Sequence, residues 1–234
     1  MTYCVSDLHG EYDLFCRLMQ KIRFSASDRL IVCGDVLDKG KDCIRLLQLL
    51  FSLPNATCLI GNHEYDFLKF YWALMGQSPD DFDGVLQRLR GYFTQGGEGL
   101  DWDTMDRLEN LPFYVETEGF ICVHAGVPLD AYGRILPLSQ AQPEHLVYDR
   151  RFKDNDVVPQ AGKCVIFGHT PTSYTISQPR IIKTLRVGAR QGSDRIEDYV
   201  KTQIDTGAWL NGVLGCLCVE TCETAYVWKD EFQR

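Results

Sequence analysis

The sequence predicts an α/β fold: a parallel sheet flanked by helices, with a second, mixed or antiparallel sheet packed on it. Three observations predict this. Short apolar runs alternate with amphipathic helical segments over the first third of the chain, which is the pattern of βα units. Each of these runs ends in a loop of Gly, Asp, Asn and His rather than in a simple turn. The last quarter of the chain is β-rich, with strand-like runs between Gly and polar turns. A parallel sheet gathers such loops at the C-terminal ends of its strands, where α/β proteins place their ligands.

Thr2 to Ser6 is short and apolar and runs into Asp7-Leu8-His9-Gly10. Leu14, Phe15, Leu18 and Ile22 then recur at helical spacing, which predicts a helix from Tyr12 to Ile22. Leu30-Ile31-Val32-Cys33 is a second buried strand. It is followed by the loop Gly34-Asp35-Val36-Leu37-Asp38-Lys39-Gly40 and by a helix from Lys41 to Phe51 that buries Ile44, Leu47, Leu50 and Phe51. Pro54-Asn55 breaks the chain, Thr57 to Ile60 forms a third strand, and Gly61-Asn62-His63-Glu64 opens a third helix carrying Phe67, Leu68, Phe70, Tyr71 and Leu74. The aromatic set from Tyr65 to Trp72 reads as core at this spacing.

Residues 76–112 turn helical and polar, with candidate helices Asp80 to Tyr92 and Asp101 to Leu111 around Gly96-Gly97. This stretch is too short for a core of its own, so it reads as a helical insertion beside the site within one domain spanning residues 1–234. Phe113 to Val115 and Phe120 to Val123 are strands, the latter ending in His124-Ala125-Gly126. Ser139 to Leu146 is a short helix leading to Tyr148-Asp149-Arg150-Arg151-Phe152, and the strand Lys163 to Phe167 closes on Gly168-His169-Thr170-Pro171. Arg180 to Leu185, Tyr199 to Ile204, Val213 to Val219 and Thr224 to Trp228 are assigned to the second sheet, with Asp205-Thr206-Gly207 as a turn between strands.

Composition excludes several classes. A net charge of −8 without a basic stripe disfavours nucleic acid, whose binding relies on a cationic surface, although metal ions can still supply the local charge that phosphate needs. No apolar run reaches the roughly 18 residues of a membrane span, so no membrane partner is expected. The N-terminus lacks a basic segment and a long apolar segment, so a cytoplasmic, reducing setting is expected, with the ten Cys serving as small buried hydrophobes. Cys216-x-Cys218-x-x-x-Cys222 lacks paired zinc spacing and reads as strand core.

Of the five His, four (His9, His63, His124 and His169) stand just after an apolar run or near a ligand-type Asp or Asn, next to Gly, whereas His145 reads as a surface residue. Asp7-x-His9 offers two donors from one loop, and Asp35 offers a carboxylate able to bridge two cations; Asn62, His124 and His169 complete a second set. Carboxylate, amide oxygen and imidazole together suit Mn²⁺, Fe or Zn²⁺ better than Ca²⁺ or Cu(I). Two dications about 3.5–4 Å apart on a shared carboxylate form a clamp for phosphoryl displacement by water.

These motifs, in this order and approximate spacing, resemble the calcineurin-like metallophosphoesterases, and specifically the bacterial serine/threonine protein phosphatases of the phosphoprotein-phosphatase type. The resemblance runs from Ser6 to about Gly207. It implies a four-layer αββα sandwich of two mixed sheets and a dinuclear-metal phosphomonoesterase, with Mn²⁺ expected and Fe or Zn compatible. Asp7 and His9 would bind the first metal, Asp35 would bridge both, and Asn62, His124 and His169 would bind the second. His63, oriented by Asp38, would be the general acid opposite a metal-bridging hydroxide that attacks phosphorus in line.

The chain departs from the family pattern in two places. Ser6 stands where the family usually has Gly, and Lys39 stands where its phosphate-gripping Arg follows the second Asp. Lysine keeps the charge but loses the planar fork that holds two phosphate oxygens. Arg150, in a segment resembling the family's W-x-R with Tyr148 at the aromatic place, becomes the stronger candidate for that grip, against a plain surface ion pair. Phosphoserine or phosphothreonine in proteins is the expected substrate, and a small phosphoester of the diadenosine tetraphosphate type is the alternative. A non-catalytic scaffold is disfavoured, because all six ligands, His63 and Asp38 are present.

Overall fold

Alternation along the first strands decides the layering. The computed structural model describes residues 1–155 and 163–232. In β1 (Thr2–Val5) and β2 (Arg29–Val32), Cys4 and Ile31 face one apolar cluster while Val5, Leu30 and Val32 face another. Burial on both faces is what makes these strands read as continuous apolar runs. β1 pairs in parallel with β2, and β2 with β3 (Ala56–Cys58). Helices α1 (Tyr12–Lys21) and α2 (Cys43–Ser52) make the crossovers, burying Leu14, Phe15 and Leu18 from the first and Ile44, Leu46, Leu47 and Leu50 from the second.

The second sheet comprises β4 (Tyr114–Glu116), β5 (Phe120–Val123), β6 (Cys164–Phe167), β7 (Ile182–Leu185) and β8 (Tyr199–Gln203), in the order β4-β5-β6-β8-β7. Its three central strands are parallel and its two edges antiparallel. The assignment of the last two strands needs correction. β9 (Val213–Cys218) and β10 (Thr224–Trp228) return to the first sheet, where β9 lies antiparallel to β1 and β10 forms the edge. Every residue of β9 is buried, as an interior strand requires, but a run of this kind does not say which sheet it joins.

Both sheets are thus mixed and five-stranded, and the molecule is an α/β sandwich. Between them lies a layer containing Cys4, Ile31, Cys33 and Leu59 from one side and Cys122, Cys164 and Ile166 from the other. All ten Cys are free, and Cys4 Sγ and Cys122 Sγ meet at 3.7 Å across that layer. Helix α3 (Asn62–Gln77) leads into α4 (Phe82–Arg90) and α5 (Trp102–Glu109), whose Val85, Leu86, Leu89, Met105 and Leu108 join the cluster already built by α1 and α2. Three further short α-helices stand among the described residues: α6 (Pro143–Tyr148), α7 (Ser173–Ile176) and α8 (Ala208–Asn211). The last two follow the loops after β6 and β8 and are not anticipated by any periodicity, being a single turn each. Among the described residues no helix is long and apolar enough to cross a membrane.

Candidate active site

Five strand ends deliver the candidate side chains. The loop after β1 carries Asp7 and His9; that after β2 carries Asp35, Asp38 and Lys39; β3 leads to Asn62 and His63; β5 and β6 end at His124 and His169. Backbone hydrogen bonds fasten these loops together: His9 N–H donates to Asp35 O (2.9 Å), Gly10 N–H to Val36 O (2.9 Å) and Gly168 N–H to His124 O (2.8 Å). Across the sandwich, His169 N–H donates to Asp7 Oδ2 at 2.9 Å. Asp7, His9, Asp35, Asp38, Lys39 and His169 all adopt positive φ, between 43° and 69°. Such angles are uncommon outside glycine, and their concentration here means that the surrounding bonds hold the backbone in a costly shape.

Carbonyl groups set the tautomers. His9 Nδ1 donates to Leu37 O at 2.9 Å and His124 Nδ1 to Cys33 O at 2.8 Å, so both rings turn a bare Nε2 inward. His124 Nε2 lies 3.2 Å from Asn62 Oδ1 and 3.1 Å from His169 Nδ1. Asp35 is 3.6 Å from His9 Nε2 through one oxygen and 3.5 Å from His124 Nε2 through the other. Two donor groups result, His9-Asp35-His63 and Asp35-His124-His169, each with its ligand atoms within 4.8 Å of one another. A carboxylate common to two imidazole groups, with a buried His169 Nε2 that has no hydrogen-bond partner, fits a pair of divalent cations. Asp7 is buried beside them but outside both groups, its Oδ2 also receiving the Ser6 hydroxyl.

Burial shapes the electrostatics. It lowers His9 to about 4, against the pull of Asp7 and with help from Lys39. It lowers His169 to about 3, with His124 adding to the effect, and lowers His124 despite Asp7. The three imidazoles are therefore neutral at physiological pH, the form that binds metal. Burial, then Asp7 and Glu64, push the Asp35 carboxyl well above the usual carboxylate range.

The remaining predicted residues divide. His63 Nδ1 is 2.9 Å from Asp38 Oδ2, joining the second Asp of the loop to the first turn of α3. Lys39 Nζ reaches His9 Nε2 at 2.8 Å, so this side chain points into the cluster rather than away from it. Arg150 is exposed and makes no hydrogen bond or ion pair among the described residues, yet its charge acts on His169 and Asp205. The aromatic set after His63 is split, against the expectation that all of it is core: Phe67 and Tyr71 are core, Phe70 and Trp72 are exposed, and Tyr65 is half-buried, donating to Glu144 Oε1 at 3.2 Å. Tyr148 O–H donates to Asp66 Oδ1 at 2.6 Å and accepts from Lys69 Nζ at 2.8 Å.

Two buried carboxyls escape the sequence reading. Asp205 lies between β8 and β9 as expected but is only 1% exposed, and burial holds it well above its ordinary range, with Asp7 adding to the shift. Glu64 is fully buried beneath the site. The one signal available for it is a Glu three residues after Gly61 at a helix start, the spacing of a capping box.

A two-sheet α/β sandwich whose strand ends present two His/Asp groups around one carboxylate defines a metallophosphoesterase. The chain belongs to the calcineurin-like phosphoesterase family, whose profile matches residues 2–199. It is 31% identical over 131 residues to a symmetrical bis(5'-nucleosyl)-tetraphosphatase of Aggregatibacter actinomycetemcomitans, covering 55% of this chain and 45% of the relative. Over 156 residues it is 30% identical to a protein of the same name from Pseudomonas putida, covering 65% and 51%. The chain thus spans about half the length of the curated relatives it matches. A crystal structure provisionally named a diadenosine tetraphosphatase superposes over 97% of this chain and 92% of its own, with a TM-score of 0.66 at 18% identity, a likeness of fold.

Proposed function

We propose that this chain is a dinuclear-metal hydrolase of dinucleoside polyphosphates. The observation that carries the metal centre is the Asp35 carboxylate shared between two imidazole groups. Similarity to symmetrical tetraphosphatases supports the substrate and favours the alternative sequence reading over a phosphoprotein. Asp7 and His9 would hold the first cation, Asp35 both, and Asn62, His124 and His169 the second. Bound dications neutralise phosphate charge and lower the pKa of coordinated water from 15.7 to about 7.

The chain's own groups supply the rest. Asp38 fixes the His63 ring through Nδ1, and Nε2 then faces the cluster, 3.9 Å from Asp35 Oδ2, where it can hand a proton to the departing oxygen. Lys39 and Arg150 provide cationic contacts for the polyphosphate, one beside His9 and one at the exposed rim. Water adds to one phosphorus and a phosphoanhydride P–O bond breaks; central cleavage of a tetraphosphate releases two nucleoside diphosphates.

A substrate panel of diadenosine tetraphosphate, a phosphoserine peptide and p-nitrophenyl phosphate, run with Mn²⁺, Fe²⁺ and Zn²⁺, tests this. The expected result is the highest kcat/KM on the dinucleotide, with ADP as the only nucleotide product. A higher kcat/KM on the phosphopeptide would restore the protein-phosphatase reading.

A further inference from the structure

The geometry points to Glu64 as a positioning residue that locks the Asp35 loop to the N-terminus of α3 and so preforms the metal centre before any cation binds. Its carboxylate accepts four backbone N–H groups, two on each oxygen. Oε2 receives Asp35 N–H at 2.8 Å and Gly61 N–H at 2.9 Å; Oε1 receives Val36 N–H and Leu37 N–H, both at 2.8 Å. Four donors match the acceptor capacity of an ionised carboxylate, and hydrogen bonds to a charged acceptor are the strong ones.

The placement of these donors explains what the clamp does. Asp35 has a φ of +56°, in the left-handed region, and three successive N–H groups from residue 35 to residue 37 converge on one anion, forming a nest. Without an acceptor, those buried donors would be orphaned and the turn would relax to an ordinary φ. The same carboxylate caps α3 through Gly61, the residue before Asn62 and His63. One side chain therefore fixes the shared Asp35, the Asn62 amide and the His63 imidazole relative to one another. A third tie, His63 N–H to Asp35 Oδ1 at 3.1 Å, runs in parallel. Glu64 touches neither substrate nor a donor atom of either imidazole group; it acts through the backbone.

Glutamine at this position tests the assignment, because its Nε2 would face two N–H groups where a carboxylate oxygen accepts them. The inference rests on the metal-centre reading above, and two measurements separate the two. The first is amide hydrogen exchange on the metal-free wild-type protein. The amides of Asp35, Val36, Leu37 and Gly61 are expected to exchange at least about a thousandfold more slowly than in a free chain, as buried sheet amides do. Exchange at free-chain rates there would overturn the clamp, whatever the metal does.

The second is Mn²⁺ titration by calorimetry. Glu64→Gln is expected to bind Mn²⁺ at least tenfold more weakly, with core amides such as Val5 and Phe167 still protected. Its kcat on p-nitrophenyl phosphate should fall at saturating Mn²⁺ with KM little changed. Glu64→Gln binding Mn²⁺ as tightly as wild type would overturn the proposal. If Glu64→Gln does not fold, the wild-type exchange result alone decides. Failure of the wild type to bind Mn²⁺ would defeat the metal-centre reading and leave the clamp to be judged by exchange.

Discussion

His63 Nδ1 sits 2.9 Å from Asp38 Oδ2 while Nε2 of the same ring lies 3.9 Å from Asp35 Oδ2, so one imidazole spans the rim carboxylate and the shared carboxylate of the cluster. The value of a proton donor in that place depends on the leaving group. An alkoxide is a poor leaving group and needs the proton, whereas a nucleoside diphosphate leaves readily as an anion. His63→Asn is therefore expected to lower kcat about 10²- to 10⁴-fold on an alkyl phosphate and far less on diadenosine tetraphosphate, with bound metal unchanged. Asp38→Asn should show the same substrate dependence at smaller size, since it disturbs the ring without removing it. Equal losses on both substrates would show that His63 does something other than protonate the leaving group.

Lys39 supplies the second prediction. Its ammonium rests on His9 Nε2, the atom that would face the proposed first cation, and like charges in that space would oppose each other. Lys39→Met should raise Mn²⁺ affinity about three- to tenfold while weakening inhibition by free phosphate. Titration calorimetry and an inhibition constant for phosphate, measured on the same preparation, check both halves. Loss of phosphate inhibition without tighter metal binding would place Lys39 on the substrate alone.

Asp35 makes metal binding depend on pH. Its folded carboxyl titrates well above the ordinary value of 3.8, so its contribution to metal-free stability is complete below that value and is lost as pH rises through the folded pKa. His9 and His169, lowered to about 4 and about 3, act in the opposite sense: their contribution is complete above about 6.5 and is lost as pH falls towards those values. Around neutrality the imidazoles are already bare, so wherever Asp35 still holds its proton, that proton is the one a cation must displace. Apparent Mn²⁺ affinity should therefore rise with pH until Asp35 ionises and then level off. Calorimetry in buffers of differing ionisation enthalpy should detect close to one proton released below that plateau. Asp35→Asn should abolish the release and impair binding of both cations.

How much of this was legible in the sequence varies with range. Asp7, His9, Asp35, Asn62, His124 and His169 stand out because each lies just past a short apolar run and within three residues of a Gly, and parallel strands in each of the two sheets carry such positions to their C-terminal ends. His63 and Asp38 are also legible as types, although their contact joins loops from different strands. Glu64 is hidden because its spacing from Gly61 signals only a local cap; its reach to Asp35, Val36 and Leu37 depends on β2 lying beside β3. The sheet joined by β9 and β10 is hidden for the same reason, since an apolar run records burial and not its neighbours. Asp205 looks like a turn residue locally, and its burial is not legible there: Thr172 N–H, from the loop after β6, donates to its carbonyl at 2.8 Å, and Gly207 N–H donates to its Oδ1 at 2.8 Å.

Gly61 gives the last prediction, and steric contact rather than φ decides it. Its φ of −96° suits any residue, so an alanine would meet no backbone strain there. A Cβ at that point would, however, run into Asp35 Oδ1 and come within 2.5 Å of Asp35 N. Asp35 cannot move aside cheaply, because its N–H is held by Glu64 and its Oδ1 by His63 N–H. Overpacking of this kind costs about 1–3 kcal/mol of fold stability. Gly61→Ala should lower the melting temperature modestly and weaken Mn²⁺ binding at least about tenfold, because the oxygen displaced belongs to the carboxylate that the two imidazole groups share. Gly91 offers the control: an added Cβ there meets the Arg88 carbonyl at 3.3 Å and the Gln87 carbonyl at 3.8 Å, with no contact to Asp35. Gly91→Ala should leave Mn²⁺ binding unchanged, and equal weakening in both variants would show that the Gly61 effect is general destabilisation rather than displacement of Asp35.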